Sequence, residues 1–450
     1  MNESELQRRL TIDENPRIER ILSPFRSFIQ AEASSGILLM GAALVALIWA
    51  NSPWAPLYTE LWDTDISIHF GDLEVSESLL LWINDGLMAM FFFVVGLEIK
   101  RELLAGELAS PRLAALPLLA AAGGMLVPAL VYIGLNFGTP EAHGWGVPMA
   151  TDIAFSLGIL YLLGDRVPAG LKIFLASLAI ADDLGAVIAI ALFYTSDISF
   201  LSLLAGAGLL VFVALLNRLG VRSPLVYGLF GIGGVWLAFL FSGVHPTIAG
   251  VLMAMTIPAS MRINPAGFLH RSRAALTRFE EASDPMAHTL TNTALQNALH
   301  ELDVATDHAI TPLRRLEKAL HPWVSFLILP LFALANAGVS LEGGFGSVLT
   351  NRVTMGIILG LVIGKQVGVT LFSWLAVRMG LAELPSGVGW RHLYGVSWLA
   401  GIGFTMSLFI GGLAFTDASH LAMAKVGVLA GSVIAGLVGA FLLLSFSKRA

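Results

Sequence analysis

Apolar residues fall in long blocks along this chain, with polar residues as punctuation between them. Twelve runs, near residues 33–51, 78–98, 112–136, 147–164, 169–195, 199–217, 223–241, 246–260, 322–340, 354–378, 393–415 and 421–446, approach the length that crosses a bilayer as a helix, about 20 residues. The eighth is short. Between the first two runs the pattern changes period. Ile66, Ile68 and Phe70 alternate with polar residues, Gly71-Asp72 is turn chemistry, and Leu73 and Val75 alternate again, which predicts a β-hairpin over 64–76 outside the membrane. Between runs eight and nine the chain turns polar. There Leu295, Leu299 and Leu302, and then Leu313, Leu316 and Leu320, recur at helical spacing and predict amphipathic helices. Residues 1–30 are polar and of mixed charge, without the apolar core and small-residue cleavage site of a secretory signal. An amphipathic helix near Ile18–Phe28 is expected in that tail. The organisation read from the pattern is a tail over 1–30, eight spans over 31–260 with the hairpin at 64–76, a loop of amphipathic helices over 261–320, and four spans over 321–447.

Composition narrows the class. The 450 residues are 56% hydrophobic and 13% charged, with a mean hydropathy of +0.78, where a soluble domain carries about 25% charge. This excludes a soluble enzyme held by a single anchor and predicts an all-α polytopic membrane protein. The absence of cysteine excludes disulfides. With the N-terminal tail placed inside and the sides alternated, all but three of the 26 lysines and arginines fall on the inner face. The exceptions are Arg352 and Lys425 in outer segments and Lys365 within a span. That bias predicts both termini in the cytoplasm and a multi-pass protein of a bacterial cytoplasmic (inner) membrane. The charge distribution points to membrane lipid and gives no reason to expect nucleic acid as a partner.

The candidate chemistry lies inside the spans. Asp152, Asp182 and Asp183 sit in apolar runs, and each charged residue at mid-membrane costs about 2.5–3.5 kcal/mol on insertion scales. Ionised carboxylates are hard oxygen ligands for a small cation, and the same groups carry protons. A site that takes one or the other is the chemical core of exchange. Adjacent helix positions point about 100° apart, so Asp182 and Asp183 face different neighbours. Lys365, at the centre of span ten, needs a counter-charge, which Asp182, Asp183 or the negative end of a half-helix would supply. Pro148, four residues before Asp152, and the N-cap chemistry of Thr151-Asp152 predict a span broken in mid-membrane. Gly401 and Gly403, in Ala400-Gly401-Ile402-Gly403-Phe404-Thr405, predict a matching break in span eleven. Spans three to five and ten to twelve then form two triplets of opposite orientation, each with a broken middle member, which is the pattern of inverted repeats around a transport site. Three carboxylates against one ammonium leave two net negative charges in the span interiors, so swapping two protons for one monovalent cation moves charge. Asp85 lies near the outer end of span two. The cluster Glu98, Lys100, Arg101 and Glu102 lies at its inner end. The histidines His270, His288, His300, His308 and His321 of the 261–320 region have no compelling metal-ligand spacing.

Along the chain occur, in this order, the motifs Trp82-Ile83-Asn84-Asp85, Gly96-Leu97-Glu98, Ala150-Thr151-Asp152-Ile153-Ala154-Phe155, Lys172-Ile173-Phe174, Asp182-Asp183-Leu184-Gly185, His321-Pro322-Trp323, Leu334-Ala335-Asn336-Ala337-Gly338 and Gly401-Ile402-Gly403-Phe404-Thr405-Met406-Ser407. Together they resemble the NhaA-type sodium/proton antiporters over about 31–260 and 312–446, a family that also exemplifies inverted repeats. The resemblance implies that Asp182 and Asp183 bind sodium or lithium and carry protons, with Thr151 and Asp152 beside them where two broken helices cross. It implies that Asp152 offsets the positive half-helix ends, and that Lys365 offsets the negative ones and, in one state, Asp182. It further implies a pH-sensing mouth of Glu98, Arg101, Glu102 and Glu317, activation at alkaline pH, alternating access without a cofactor, and a homodimer through the outer hairpin. Two features depart from the family pattern: the insertion at about 262–311, and Lys318 where His is expected after Glu317. An intramembrane aspartyl protease would need a Gly-x-Gly-Asp motif, which is missing. A passive cation channel or a related potassium/proton exchanger remains the alternative, separated from sodium/proton exchange by coupling and by ion preference.

Overall fold

A computed structural model describes residues 34–70, 73–195, 198–283, 292–340 and 351–446. The expected tail helix at Ile18–Phe28 and the turn Gly71-Asp72 lie outside the described residues. The chain is a helical membrane protein. It runs α1 (Ser34–Ala50), α2 (Ala55–Trp62), β1 (Asp65–Phe70), β2 (Leu73–Ser78), α3 (Leu79–Ala105) and α4 (Pro111–Asn136). A 3-10 helix over Pro140–Met149 leads to α5 (Ile153–Leu162), followed by α6 (Ala169–Phe193), α7 (Phe200–Arg218), α8 (Pro224–Leu240) and α9 (Thr247–Thr256). Then come α10 (Pro265–Ala282), α11 (Thr293–Ala309), α12 (Pro312–Asn336), α13 (Arg352–Arg378), α14 (Trp390–Leu399), α15 (Phe404–Ala414) and α16 (Ala418–Phe446). Each of the twelve apolar runs carries a helix or a broken pair. Among the described residues eight segments are long and apolar enough to span on their own; counting each of two bent pairs as one span raises the number to ten, and α8 and α9 are shorter.

The two triplets are visible as packing. In the first, α4, the broken pair Pro140–Leu162 and α6 follow one another; in the second, α13, the broken pair α14–α15 and α16. The long members α4 and α13 lie against each other with almost no side chain between them: a Cβ on Gly123 would sit 2.3 Å from the carbonyl oxygen of Gly368, and one on Gly368 would sit 2.1 Å from that of Gly123. Close approach of this kind is how membrane helices gain van der Waals contact without a hydrophobic drive between them. Helices on the rim keep apolar side chains outward, as lipid requires; Leu201 at the start of α7 is 82% exposed.

Two elements differ from the pattern-based expectation. After α1 the chain turns by 117° into α2, a short helix that the hydropathy pattern merges with the loop. Tyr58 pins it across the fold: its hydroxyl lies 2.8 Å from the carbonyl of Leu334 and accepts from the N–H of Gly338 at 3.2 Å. The ninth span begins earlier than expected. Helix α12 runs without interruption from Thr311, whose hydroxyl accepts from the N–H of Arg314, across Pro322. The proline removes one N–H, and the helix widens into a π turn over Val324–Ile328 instead of breaking. Leu313, Leu316 and Leu320 therefore belong to the first turns of a spanning helix. The insertion at about 262–311 forms an antiparallel pair, α10 and α11, tied by the ion pair of Arg278 with Glu301.

The hairpin forms as expected. Strands β1 and β2 are antiparallel in the register Ile66↔Glu77 and Ile68↔Val75. Ile66 and Ile68 remain 41% and 54% exposed.

Candidate ion site at the crossing of two broken helices

The first break is the extended stretch Ala150-Thr151-Asp152, between Met149 at the end of the 3-10 helix and Ile153 at the start of α5. The second lies between Leu399 and Phe404, where α14 and α15 meet at 48°. The two breaks touch backbone to backbone, the N–H of Asp152 donating to the carbonyl of Ile402 at 2.7 Å. The crossing leaves four half-helix ends in the protein interior, with unpaired N–H groups at two of them and unpaired carbonyls at the other two.

Asp152, 1% exposed, serves both positive ends. Its Oδ1 accepts from the N–H of Phe155 in α5 at 3.0 Å, and its Oδ2 accepts from the N–H of Thr405 in α15 at 3.0 Å and from the Thr405 hydroxyl at 2.5 Å. It is thus the N-cap of one half-helix and an anion on the first turn of the other. At the negative ends, Lys365 Nζ donates to the carbonyl of Met149 at 2.5 Å, while the Thr151 hydroxyl lies 2.8 Å from the carbonyl of Ala400. Ser407 Oγ donates to the carbonyl of Val147 at 2.6 Å and ties α15 to the 3-10 helix before the first break. Ser432 Oγ accepts from the N–H of Phe404 at 3.1 Å.

Helix α6 brings Asp182 and Asp183 to this crossing. Asp182 Oδ2 pairs with Lys365 Nζ at 2.5 Å and accepts from the Thr151 hydroxyl at 2.6 Å. Its Oδ1 and both carboxylate oxygens of Asp183 are buried and have no hydrogen-bond partner among the described residues. Three orphaned oxygens in the interior are an expensive arrangement, since an uncompensated buried carboxylate costs several kcal/mol. A proton or a small cation removes that cost, and those oxygens are the hard donors such a cation prefers. Among the described residues no group of three or more His, Asp or Glu side chains could hold a resident metal.

The structure therefore gathers Thr151, Asp152, Asp182, Asp183 and Lys365 into one buried cluster. Pro148 and Gly401 stand beside it for steric reasons. A Cβ on Gly360 of α13 would lie 2.6 Å from Pro148 Cβ, and one on Gly401 would lie 2.4 Å from the carbonyl oxygen of Leu361. Neither Gly401 nor Gly403 has positive φ. The requirement at Gly401 is close approach, not an unusual backbone conformation.

Glu98, Arg101, Glu102 and Glu317 form a second group at the end of α3. Arg101 bonds Glu317 Oε1 at 2.9 Å and Glu102 Oε1 at 2.9 Å; Arg314 adds a contact to Glu317 at 3.2 Å, and Glu98 lies within electrostatic reach of all three neighbours. Lys100 turns away and donates to the last carbonyls of α9, Met255 at 2.6 Å and Ile257 at 2.5 Å. At the opposite end of α3, Asp85 pairs with His245 at 3.3 Å, and Asn84 meets Asn336 of α12. Sequence spacing hides these pairs, and it hides Thr405, Ser407 and Ser432 as partners at the crossing. The one signal that pointed to Thr405 was its place in the Gly401–Ser407 motif.

The description "Na+/H+ antiporter 1" belongs to a family model that matches residues 26–443. The chain belongs to the Na+/H+ antiporter 1 family. Among its relatives, the Na(+)/H(+) antiporter NhaA of Oleidesulfovibrio alaskensis is 55% identical over 426 residues, covering 95% of this chain and 94% of that protein. The protein of the same name from Rhodospirillum rubrum is 50% identical over 429 residues, covering 94% and 97%, and that from Koribacter versatilis is 49% identical over 426 residues, covering 95% and 92%. A solved sodium proton antiporter of Methanocaldococcus jannaschii aligns with a TM-score of 0.47 at 11% identity, over 92% of this chain and 93% of that one. Members of the antiporter family move ions across membranes, so this chain is a multi-pass membrane transporter and not an enzyme.

Proposed function

We propose that the protein exchanges cytoplasmic sodium, or lithium, for external protons by alternating access. Asp182 and Asp183 take the cation and the protons in turn. The observation that carries the reading is the set of three buried, unpartnered carboxylate oxygens, Asp182 Oδ1 and both of Asp183, beside the crossing. Thr151 supports Asp182 through its hydroxyl. Asp152 and Lys365 balance the half-helix ends, and Lys365 also holds Asp182 in the present conformation. When sodium enters, Asp182 gives up its ammonium partner, so cation binding and the release of positive charge are coupled. Two protons against one cation make the exchange electrogenic. Glu98, Arg101, Glu102 and Glu317 form the cytoplasmic mouth that senses pH, with transport activated at alkaline pH. The lysine and arginine bias sets both termini in the cytoplasm of a bacterial inner membrane, and the hairpin joins two copies edge to edge.

Rescue of a sodium-sensitive bacterial strain tests this reading. The parent chain is expected to restore growth in sodium, while Asp182→Asn and Asp183→Asn are expected not to. Restoration by Asp183→Asn would overturn the assignment. A passive channel would carry sodium without counter-moving protons, and flux coupling in proteoliposomes separates the two.

A further inference from the structure

The two breaks are capped differently. At the first, α5 begins with an acceptor of its own, because Asp152 is its N-cap residue. At the second, the N-cap position of α15 is Gly403, which has no side chain to offer. No side chain fits there. A Cβ on Gly403 would lie 2.1 Å from Ser407 Oγ, itself tied to the carbonyl of Val147, and 3.0 Å from Leu361 Cδ2. The first intrahelical bond of α15 runs from the N–H of Ser407 to the carbonyl of Gly403 at 2.9 Å. The N–H groups of Phe404 and Thr405 therefore need acceptors from elsewhere in the fold. Asp152 serves Thr405, and Ser432 of α16, only 4% exposed, serves Phe404.

The fit of α16 holds Ser432 in place. A Cβ on Gly431 would stand 3.0 Å from Leu361 Cδ1, and one on Gly427 would stand 3.0 Å from the carbonyl oxygen of Thr354, so α16 lies close along α13. The Thr354 hydroxyl donates to the carbonyl of Met423 at 2.9 Å and adds a polar tie between the same two helices. Helix α16 also passes the break itself: a Cβ on Gly401 would lie 3.2 Å from Ala435 Cβ. The cap on α15 is thus delivered from a helix whose position the packing fixes.

From Phe404 the route to the ion cluster is short. Two residues before it, the carbonyl of Ile402 accepts from the N–H of Asp152 at 2.7 Å. The carbonyl of Ala400 lies 2.8 Å from the Thr151 hydroxyl, which is also the donor to Asp182 Oδ2. We propose that Ser432 is a positioning residue of the ion site: by capping Phe404 from α16 it holds the second break against Thr151 and Asp152 and so sets the affinity for the cation. The inference rests on the exchange reading above. Without the hydroxyl, the positive end of α15 keeps more of its charge toward the cluster, which disfavours a bound cation. Asp182 and Asp183 themselves are unchanged, so the loss falls on binding and not on turnover.

Ser432→Ala tests this, with Ser432→Thr as the variant that keeps a hydroxyl. Proteoliposomes give the sodium dependence of exchange, calorimetry gives sodium binding to the purified protein, and thermal unfolding in detergent gives stability. For Ser432→Ala the expected result is a KM and a Kd for sodium raised about three- to tenfold, the equivalent of one hydrogen bond, at a maximal rate within about twofold of the parent. Ser432→Thr is expected to bind sodium as the parent does. A lower melting temperature with sodium KM and Kd unchanged would reduce Ser432 to a structural role and overturn the inference, as would a Ser432→Thr that binds as weakly as Ser432→Ala. Should Ser432→Ala fail to insert, Ser432→Cys keeps the volume with a poor acceptor and is read in the same way. A parent chain that binds sodium but moves no protons against it would contradict the exchange reading, and the calorimetric comparison would still decide the role of Ser432.

Discussion

Charge buried in apolar runs is what makes single residues legible in this chain. Asp152, Asp182, Asp183 and Lys365 stand out because each is costly where the pattern demands lipid or packed helix, and the structure brings all four to one place. Their partners were not legible. Thr405, Ser407 and Ser432 carry hydroxyls, which are inexpensive in membrane helices and common at helix contacts; Thr405 and Ser407 are signalled only by their place in the Gly401–Ser407 motif, and nothing marks Ser432 as a group that caps a half-helix. The pair of Lys365 and Asp182 is the most consequential contact at this scale, since each partner is fully buried. Truncation of Lys365 to alanine leaves Asp182 without its counter-charge, with the Thr151 hydroxyl as its remaining donor, and leaves the carbonyl of Met149 without the ammonium. The expected destabilisation is about 3–5 kcal/mol, the cost of stranding one member of a buried pair. Adding Asp182→Asn to Lys365→Ala is expected to recover part of that loss, because the stranded charge is gone. Thermal unfolding in detergent of the two single variants and the double variant checks this; a double variant no more stable than Lys365→Ala would contradict it.

At the scale of elements, periodicity and hydropathy delivered the helices, the hairpin and the positions of both breaks. They did not deliver α2, which is eight residues long, or the continuity of α12 across Pro322. A proline signals a missing N–H, and whether a helix breaks or widens there depends on the neighbours that pack against it. The glycines of span eleven were legible as a break but not as a contact. Gly401 passes the carbonyl of Leu361 so closely that Gly401→Ala forces α13 and the break apart. Overpacking of this kind costs about 1–3 kcal/mol. The expected outcome is a lower melting temperature together with slower exchange, whereas Gly412→Ala, at a position where a Cβ meets nothing within 4 Å, serves as the unaffected comparison. Equal melting temperatures for the two variants would contradict the close-approach account. Thr405→Val, which removes the hydroxyl from Asp152 Oδ2 and keeps the N–H, is expected to cost about 1.5–3 kcal/mol in thermal unfolding, the range for a hydrogen bond to a charged group.

At the scale of the whole molecule, the inverted triplets meet through α4 and α13, and the ion cluster sits at the crossing between them. The pairing of distant segments was the part that sequence could only suggest, because Asp152 and Thr405 stand more than half the chain apart. The hairpin extends from this body with an open strand edge, and isoleucines on it stay exposed. A two-stranded ribbon is marginal alone, and in the proposed function a second copy pairs with its open edge. With Ser67→Cys in membranes, oxidation is expected to give a disulfide-linked dimer, and a purely monomeric band would count against the pairing. The charge tally also acts at this scale. An exchange of two protons for one cation moves one net charge per cycle, so imposing a membrane potential on proteoliposomes is expected to change the rate.

In the proposed exchange one buried pair of aspartates carries both the cation and the protons. Proteoliposomes loaded with a pH dye and given an outward sodium gradient measure both fluxes at once. The account predicts that the parent chain acidifies the lumen as sodium leaves, and that Asp183→Asn, inserted at the same density, abolishes both fluxes together. Sodium-driven proton movement by Asp183→Asn at the parent rate would contradict it.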